Sequence, residues 1–146
     1  MKIYIASDHA GFELKKKLKT FLASLAYEVE DKGAFKFDKD DDYPDFVKYV
    51  AEAVSIDSES KGIILGGSGQ GEAMCANRIK GARACEFYGG DLEVVKVSRE
   101  HNNANILSLG AKFISEAEAQ KVVKIFFETK FSGDERHVRR IKKIDF

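Results

Sequence analysis

Residues 62–72, Gly-Ile-Ile-Leu-Gly-Gly-Ser-Gly-Gln-Gly-Glu, decide the predicted fold of this chain. The stretch begins as a short apolar strand, and four glycines then fall within the six residues from Gly66 to Gly71. A tight turn does not need so many glycines, but their missing side chains let backbone N–H groups approach a ligand. A helix that follows such a loop directs its positive end toward the same place. The stretch therefore predicts a strand, an anion-binding loop and a helix in succession.

The rest of the chain alternates β-rich runs with stretches of helical period, which is the pattern of a parallel sheet covered by helices. The five predicted strands lie near residues 2–6, 27–31, 62–66, 82–87 and 105–109. Between the first two strands, an apolar stripe with lysines on the other face predicts a crossover helix. That stripe comprises Leu14, Leu18, Phe21, Leu22 and Leu25.

Three more helices are predicted from their starting residues. Pro44 suits the first turn of a helix, and the inner face of that helix carries Val47, Val50, Ala51 and Val54. Ser115 with Glu118, and Ser132 with Glu135, have capping-box spacing. Helices should therefore begin near residues 116 and 133, and the last should run to about residue 143.

Five strands with right-handed crossovers predict one α/β domain over residues 1–146. We expect a three-layer α/β/α domain with a doubly wound five-stranded parallel sheet, Rossmann-like, in flavodoxin-like strand order. Ligands bind at the carboxyl ends of the strands in such sheets. We therefore expect Asp8 and His9, after the first strand, to lie near the glycine loop after the third.

The composition limits the classes of partner. The chain has 24 lysines and arginines against 24 aspartates and glutamates, so its net charge is zero. A neutral chain with little aromatic interleaving among its basic residues is a poor candidate for nucleic acid. No apolar run approaches the ~20 residues of a membrane span, and no targeting segment is evident. These features predict a cytoplasmic protein.

Two other features are interpreted as structural. Cys75 and Cys85 lack metal-ligand companions at a usual spacing, so we expect reduced cysteines in the core. The acidic run from Asp38 to Asp42 lacks the glycine and the terminal glutamate of a calcium loop. It predicts a solvated loop.

Two familiar glycine loops do not fit this sequence. A Walker loop ends in Gly-Lys-Ser or Gly-Lys-Thr, whereas this loop ends in Gly71-Glu72-Ala73, with a negative charge where nucleotide phosphates need a lysine. A dinucleotide-binding fold carries its glycines after the first strand, where this chain has Ser-Asp-His-Ala-Gly. Glu72 itself either complements the helix dipole or acts as a general base beside an oxyanion site. The residues alone do not favour either interpretation of Glu72.

Several other polar residues can also be interpreted either as structural or as functional. Asp8 either caps the first helix or joins the site with His9. The run His101-Asn102-Asn103 precedes the fifth strand, so topology places it at the amino-terminal edge of the sheet, away from the glycine loop. A catalytic role for it would require a partner's site. Arg136 and Arg140 lie one helical turn apart, and they either converge on a phosphate or belong to a solvated basic helix.

Seven blocks that span nearly the whole chain carry a family resemblance: Ser7 to Lys15, Asp42 to Asp45, Gly66 to Glu72, Ala76 to Arg78, Gly81 to Ala84, Arg99 to Asn105 and Arg136 to Ile141. In these blocks the chain resembles the ribose-5-phosphate isomerase B family, which includes galactose-6-phosphate isomerase subunits. The resemblance implies interconversion of ribose 5-phosphate and ribulose 5-phosphate in the pentose phosphate pathway, through a cis-enediolate and without a metal or organic cofactor. It also implies a homodimer with active sites shared between the subunits, with a tetramer as the larger alternative.

The resemblance further implies roles for individual residues. Loop N–H groups stabilise the enediolate, one histidine assists ring opening, an asparagine binds the sugar and two arginines hold the phosphate. The implied catalytic residues are Glu72, His101 and Ser68, and the implied substrate-binding residues are Asp8, His9, Gly67, Gly69, Gln70, Gly71, Asn102, Lys112, Arg136 and Arg140.

Two departures from the family pattern bear on these roles. Many members carry a cysteine base where this chain has Gly66, and the loop looks like the branch that uses a glutamate at its end. Glu72 is therefore the predicted base. Lys112 stands where an arginine is common in that branch, which keeps the charge and loses the bidentate fork.

Two alternatives stay open. The substrate could be a six-carbon sugar phosphate, such as allose or galactose 6-phosphate, because pocket size decides this. The chain could also be a non-catalytic sugar-phosphate-binding subunit, although the joint presence of Glu72, Ser68 and His101 argues against that.

Overall fold

The computed structural model describes all residues, 1–146, and contains five strands and six helices. The strands are β1 (Lys2–Ser7), β2 (Glu28–Asp31), β3 (Lys61–Gly66), β4 (Ala84–Phe87) and β5 (Ile106–Gly110). The helices are α1 (Phe12–Ser24), α2 (Pro44–Ile56), α3 (Gln70–Ala76), α4 (Glu93–Asn102), α5 (Glu116–Glu128) and α6 (Glu135–Ile141). No helix is long and apolar enough to cross a membrane.

All strand pairs are parallel, and the strands lie in the order β2-β1-β3-β5-β4. The predicted parallel α/β sheet is confirmed, but flavodoxin-like order is wrong for the last two strands. The chain leaves β3, passes the place that β5 later takes, forms the edge strand β4 and then returns. Both orders obey the right-handed crossover rule, so the alternation of elements could not separate them. As a result β5 lies next to β3, and the residues that follow β5 adjoin the glycine loop.

The helices cover the two faces of the sheet with separate cores. Buried side chains of α1, α4 and α5, among them Leu18, Leu22, Val95 and Phe126, pack on one face. The inner face of α2 packs on the other face together with Ala76 of α3. Since right-handed crossovers in opposite directions place helices on opposite faces, the return from β4 to β5 puts α4 beside α1 and α5.

The structure confirms two of the predicted helix starts and corrects the third. Pro44 is the first residue of α2, and Ser115 and Glu118 form a complete capping box at α5. The capping box at Ser132 is wrong, because α6 begins at Glu135 and its N-cap is Asp134. Gly133 has a φ of +74°, which turns the chain before the helix, and Ser132 Oγ accepts from Asp134 N instead.

Two expectations about burial are also corrected. Both cysteines are free, but they are half-buried and pack against the edges of the two cores rather than lying inside them. The lysines of α1 do not all face solvent. Lys15 is 1% exposed, and its Nζ donates to Asp31 Oδ1 at 2.9 Å and to the Ala34 carbonyl at 2.5 Å. A buried lysine needs such partners, and these two tie α1 to the end of β2 and the loop beyond it.

Candidate active site

The glycine loop lies at the carboxyl edge of the sheet, between the ends of β1 and β5. Its carbonyl groups are turned toward the segment after β5: Gly66 O accepts from Ala111 N at 2.8 Å, and Gly67 O accepts from Lys112 N at 3.1 Å. The buried Ser108 Oγ donates to Gly69 O at 2.6 Å. The N–H groups of Gly67, Ser68 and Gly69 donate to no acceptor within the chain. The loop therefore presents a row of free donors, as an anion or oxyanion site requires.

Glu72 lies in the first turn of α3, and its carboxylate is packed against Gly66. Glu72 is 4% exposed. A Cβ at residue 66 would overlap the Glu72 carboxylate, so only glycine leaves this space free. Gly69, with a φ of +80°, is the N-cap of α3 and makes the tight entry into the helix. The sequence thus positions the carboxylate of Glu72 beside the free loop donors.

The electrostatic surroundings of Glu72 suit a proton acceptor. Burial raises the pKa of its carboxyl, and the nearby carboxylate of Asp8 raises it further. The backbone N–H of Glu72 donates to the same carboxylate and partly offsets these effects, which is a contact typical of an acidic residue in the first turn of a helix. A raised pKa makes the carboxylate a stronger base near neutral pH. The geometry thus carries features of both interpretations of Glu72: a carboxylate bonded within the first helical turn, and a buried group beside the free loop donors.

Asp8 caps the turn that leads into α1. Its Oδ1 accepts from the N–H groups of Ala10 at 2.9 Å and Gly11 at 3.1 Å, and the side chain is buried. Asp8 Oδ2 lies 4.0 Å from His9 Nδ1. The capping interpretation is wrong for the helix itself, because the N-cap of α1 is Gly11 and no side chain caps it; Asp8 instead stabilises the turn before the helix. The same side chain also lies near both Glu72 and His9.

The acidic run is only partly a solvated loop, which corrects the prediction for Asp41. Its Oδ1 accepts from both His9 N, at 2.9 Å, and His9 Nδ1, at 2.6 Å. The side chain of Asp41 is 7% exposed. The hydrogen bond to Asp41 is the largest influence that raises the pKa of His9, and the neighbouring Lys112 opposes it. The aliphatic part of Lys112 lies over Gly67.

Tyr43 is another side chain at this edge that the sequence did not single out as a site residue. A Cβ at Gly71 would lie 2.6 Å from Tyr43 Oη, so the hydroxyl sits directly over the loop. The signal was present in the block from Asp42 to Asp45, where the tyrosine precedes the proline that begins α2. Only the folded chain shows that this helix start meets the glycine loop.

Asp8, His9 and Asp41 form a group with the donor types and spacing of a metal site. One donor atom from each lies within 4.8 Å of the others. In the structure these atoms are already hydrogen-bonded to one another or to the backbone. His9 Nδ1 bonds Asp41 Oδ1, and Asp8 Oδ1 accepts from two backbone N–H groups. A cation there would replace these hydrogen bonds.

A second group of predicted residues lies at the opposite edge of the sheet. His101 and Asn102 end α4, just before the chain enters β5, and Arg136 and Arg140 lie on the adjoining α6. The His101 ring stacks on that of His137, with centroids 4.4 Å apart and planes inclined by 13°. Burial lowers the pKa of His137, and His101 and both arginines lower it further. The structure thus places His101, Arg136 and Arg140 near His137, and Asn102 follows His101 at the end of α4.

The two groups are separated by the length of the strands. The strands between them are five or six residues long, which corresponds to about 15 to 20 Å. One chain therefore does not bring His101, Asn102, Arg136 or Arg140 to the loop that holds Ser68 and Glu72. This agrees with the topological prediction for His101.

The buried Arg99 and the half-buried Arg83 stabilise the turn that carries His101 and Asn102. Arg99 donates to Asn103 Oδ1 at 2.8 Å and to Ala104 O at 2.5 Å. Arg83 Nε donates to Asn103 O at 3.0 Å. Neither guanidinium forms a salt bridge with a carboxylate, and both are held by backbone and amide oxygens.

Comparisons with known proteins agree with this geometry. A family model described as Ribose/Galactose Isomerase matches residues 3–144. The ribose-5-phosphate isomerase B of Mycolicibacterium paratuberculosis is 43% identical over 141 residues, which are 97% of this chain and 87% of that protein. Among solved structures, the ribose-5-phosphate isomerase B of Mycoplasma genitalium with bound ribulose-5-phosphate is 40% identical, with a TM-score of 0.92 over 98% of this chain and 93% of that one. The enzyme of Thermotoga maritima is 43% identical, with a TM-score of 0.91 over 99% of this chain and 97% of that one. With its sheet, its glycine loop and nearly its full length matched, the chain belongs to the ribose/galactose isomerase family.

Proposed function

We propose that this protein is an isomerase that interconverts D-ribose 5-phosphate and D-ribulose 5-phosphate through a cis-enediolate. One observation carries the proposal: the buried carboxylate of Glu72 lies beside a loop in which the N–H groups of Gly67, Ser68 and Gly69 have no acceptor. A base next to an oxyanion site is what removal of a proton from carbon beside a carbonyl group requires. The similarity to enzymes that are named for this reaction supports the same substrate.

In the forward reaction Glu72 takes the proton from C2 of the open-chain aldose. The electron pair of that C–H bond forms the C1–C2 double bond, and the carbonyl electrons move to O1. The N–H groups of the loop from Gly67 to Gly71 stabilise the negative charge on O1, and Ser68 lies beside the reacting oxygens. Return of the proton from Glu72 to C1, with transfer of the hydroxyl proton from O2 to O1, gives the ketose. An unperturbed glutamate has a pKa of ~4.3, so the oxyanion site must lower much of the barrier.

The second group of residues would complete the site from a partner subunit. His101 would protonate the ring oxygen as the sugar ring opens, Asn102 would bind the sugar, and Arg136 and Arg140 would hold the phosphate. Their place at the opposite edge of the sheet supports a homodimer in which each site uses two chains. The exposed guanidinium groups of Arg136 and Arg140 supply positive charge that complements a phosphate.

His9 and Lys112 supply positive charge on the side of the glycine loop, so they fit the anionic end of a sugar phosphate. Lys112 offers one ammonium group where an arginine would offer a fork, and its phosphate contact is correspondingly less directional. A tetramer of such dimers would leave this arrangement unchanged. Both cysteines are free, which supports the proposed cytoplasmic location.

The experiment uses the purified chain and its Glu72→Gln variant. The wild-type chain alone should isomerise ribose 5-phosphate, and the variant should lose about three orders of magnitude in kcat, since a positioned base contributes factors of that size. Binding of ribose 5-phosphate, measured by calorimetry, should persist. Near-full activity in the variant would refute the role of Glu72. Binding without turnover in the wild-type chain would instead identify a non-catalytic sugar-phosphate-binding subunit.

The chain length of the sugar is tested separately. Initial rates with ribose, allose and galactose phosphates should give the highest kcat/KM for the five-carbon substrate. A higher kcat/KM for a six-carbon sugar phosphate would assign that sugar as the substrate and leave the proposed mechanism unchanged.

A further inference from the structure

One oxygen of Asp41 holds His9 at two points. Asp41 Oδ1 accepts from the backbone N–H of His9 at 2.9 Å and bonds the ring Nδ1 at 2.6 Å. An ionised carboxylate only accepts, so Nδ1 carries a proton in this arrangement. The other ring nitrogen, Nε2, has no partner in the chain. Asp41 therefore fixes the orientation of the His9 ring through Nδ1, and Nε2 stays free to bind a ligand.

The position of Asp41 comes from the loop between β2 and α2. This loop is anchored at its start, where Ser7 N donates to Gly33 O and Ala34 N donates to Ser7 O, each at 2.8 Å. The buried Nζ of Lys15 holds Ala34 O at 2.5 Å. Further along, Asp41 N donates to Asp38 O at 3.2 Å, which closes the turn that precedes Asp41.

The carboxylate of Asp41 is deeply buried for an acidic group on a loop. Its side chain is 7% exposed, and Oδ2 has no hydrogen-bond partner. An unpartnered buried carboxylate oxygen costs free energy, so the interaction with His9 is the evident compensation. The ring of Phe37, on the same loop, packs edge-on against His9 with centroids 6.4 Å apart.

We propose that Asp41 is a positioning residue for the isomerase reaction: it fixes the His9 ring through Nδ1 and so presents Nε2–H to the sugar phosphate. The inference rests on the proposed function, because it needs His9 to contact the substrate. Asp41 acts only through His9 and touches no reacting atom. It belongs to the acidic run, where nothing in the sequence separates it from its solvated neighbours.

The charges around His9 favour the protonated ring. The hydrogen bond to Asp41 raises the pKa of His9 most, and Asp8, on the loop after β1, raises it further. Lys112, on the segment after β5, lowers it. A raised pKa keeps the imidazolium populated to higher pH than in free histidine. Without Asp41, His9 would lose its proton at lower pH, and substrate affinity would fall first at the upper end of the pH range.

The test compares Asp41→Ala and Asp41→Asn with Asp40→Ala, which removes an exposed carboxylate one residue away. The chain has three histidines, so the His9 signal can be assigned by comparison with His9→Gln and its pKa followed by NMR. Asp41→Ala should lower that pKa and raise KM about tenfold, the size of one charge-assisted hydrogen bond, with little change in kcat. Asp41→Asn, which keeps an acceptor, should lie between wild type and Asp41→Ala. Asp40→Ala should match wild type.

The decisive comparison repeats Asp41→Ala in the His9→Gln background, where it should have no further effect on KM. An equal rise in KM in both backgrounds, or an unchanged pKa of His9 in Asp41→Ala, would overturn the proposal. So would a wild-type KM in His9→Gln, because the substrate would then not use His9. These outcomes leave turnover by the wild-type chain intact, so they are distinct from failure of the proposed function. The NMR spectrum reports folding of each variant, and Asp41→Asn serves if Asp41→Ala does not fold.

Discussion

The carboxylate of Glu72 fills the space into which any side chain at Gly66 would project. The two positions therefore compete for one place beside the glycine loop. The family pattern puts a cysteine base at residue 66 in many members and a glutamate at the end of the loop in another branch. The overlap explains why both cannot be used at once in this backbone. Gly66 is thus a requirement for the position of Glu72.

Gly66→Ala should lower both stability and activity. The added Cβ would displace the Glu72 carboxylate, and overpacking costs about 1 to 3 kcal/mol, here toward the lower end because the displaced group is the far end of a flexible side chain. We expect that loss in the free energy of unfolding, measured by urea titration, and a fall in kcat of about 100-fold.

The control for this prediction is the same substitution in a Glu72→Ala background. There the side chain that would collide is gone, so Gly66→Ala should cost little further stability. A stability loss of the same size in both backgrounds would show that the carboxylate is not what excludes a side chain at residue 66.

The pH dependence of kcat/KM should contain an acidic limb that belongs to Glu72. Burial and Asp8 raise its pKa above the ordinary value of 4.5, and only the ionised carboxylate accepts a proton. Activity should therefore fall as pH drops through this raised pKa, at a pH above 4.5. Initial rates across the pH range measure the limb. Full activity down to pH 4.5 would contradict the assignment.

Glu72→Gln should be more stable than wild type at neutral pH. Because the pKa of Glu72 is higher in the folded chain than in the unfolded one, ionisation favours unfolding. The stability of wild type should decline, relative to the variant, as pH rises through the folded pKa, and the two should converge at lower pH. Thermal unfolding at a series of pH values tests this, and a variant that is less stable at neutral pH would argue against it.

Ser108→Ala should loosen the glycine loop. Ser108 Oγ donates to Gly69 O at 2.6 Å in a fully buried position, and loss of one such hydrogen bond costs about 1 kcal/mol. We expect that decrease in stability together with a several-fold lower kcat. Ser24→Ala is the matched control, since Ser24 Oγ makes an equally short bond to Phe21 O at an exposed position. Equal effects of the two substitutions would rule out a special role for Ser108.

Mixing a Glu72→Gln chain with a His101→Asn chain should restore activity if each site uses both chains. A heterodimer then holds one native site and one doubly altered site. Random pairing gives about a quarter of wild-type activity, because half of the dimers are mixed and each has one working site. No recovery in verified heterodimers would place both residues in one subunit's site.

The sequence was sufficient for the class of fold but not for the order of the edge strands. Alternating β-rich and helical runs predict a parallel sheet, and Pro44 and Ser115 mark helix starts by local chemistry. The order of β4 and β5 depends on which face α4 covers, and an amphipathic helix fits either face. The start of α6 was missed because Gly133 diverts the chain after Ser132.

The site residues likewise divide into those whose place follows from local sequence and those placed only by the fold. Glu72 and the glycine loop are adjacent in the chain, so their proximity follows from local sequence. Asp41 and Tyr43 reach the site only through the path of a long loop, and no local pattern distinguishes Asp41 from Asp38 or Asp40. Lys15 was expected at the surface, since periodicity does not reveal a buried partner such as Asp31.

The separation of the two residue groups has a consequence for regulation by assembly. The strands that hold them apart are the rigid centre of the molecule, so no hinge or lid within one chain could join the groups without unfolding the sheet. Under the shared-site proposal, a newly made chain is catalytically silent until it meets another. Specific activity would then rise with protein concentration through the range where chains pair.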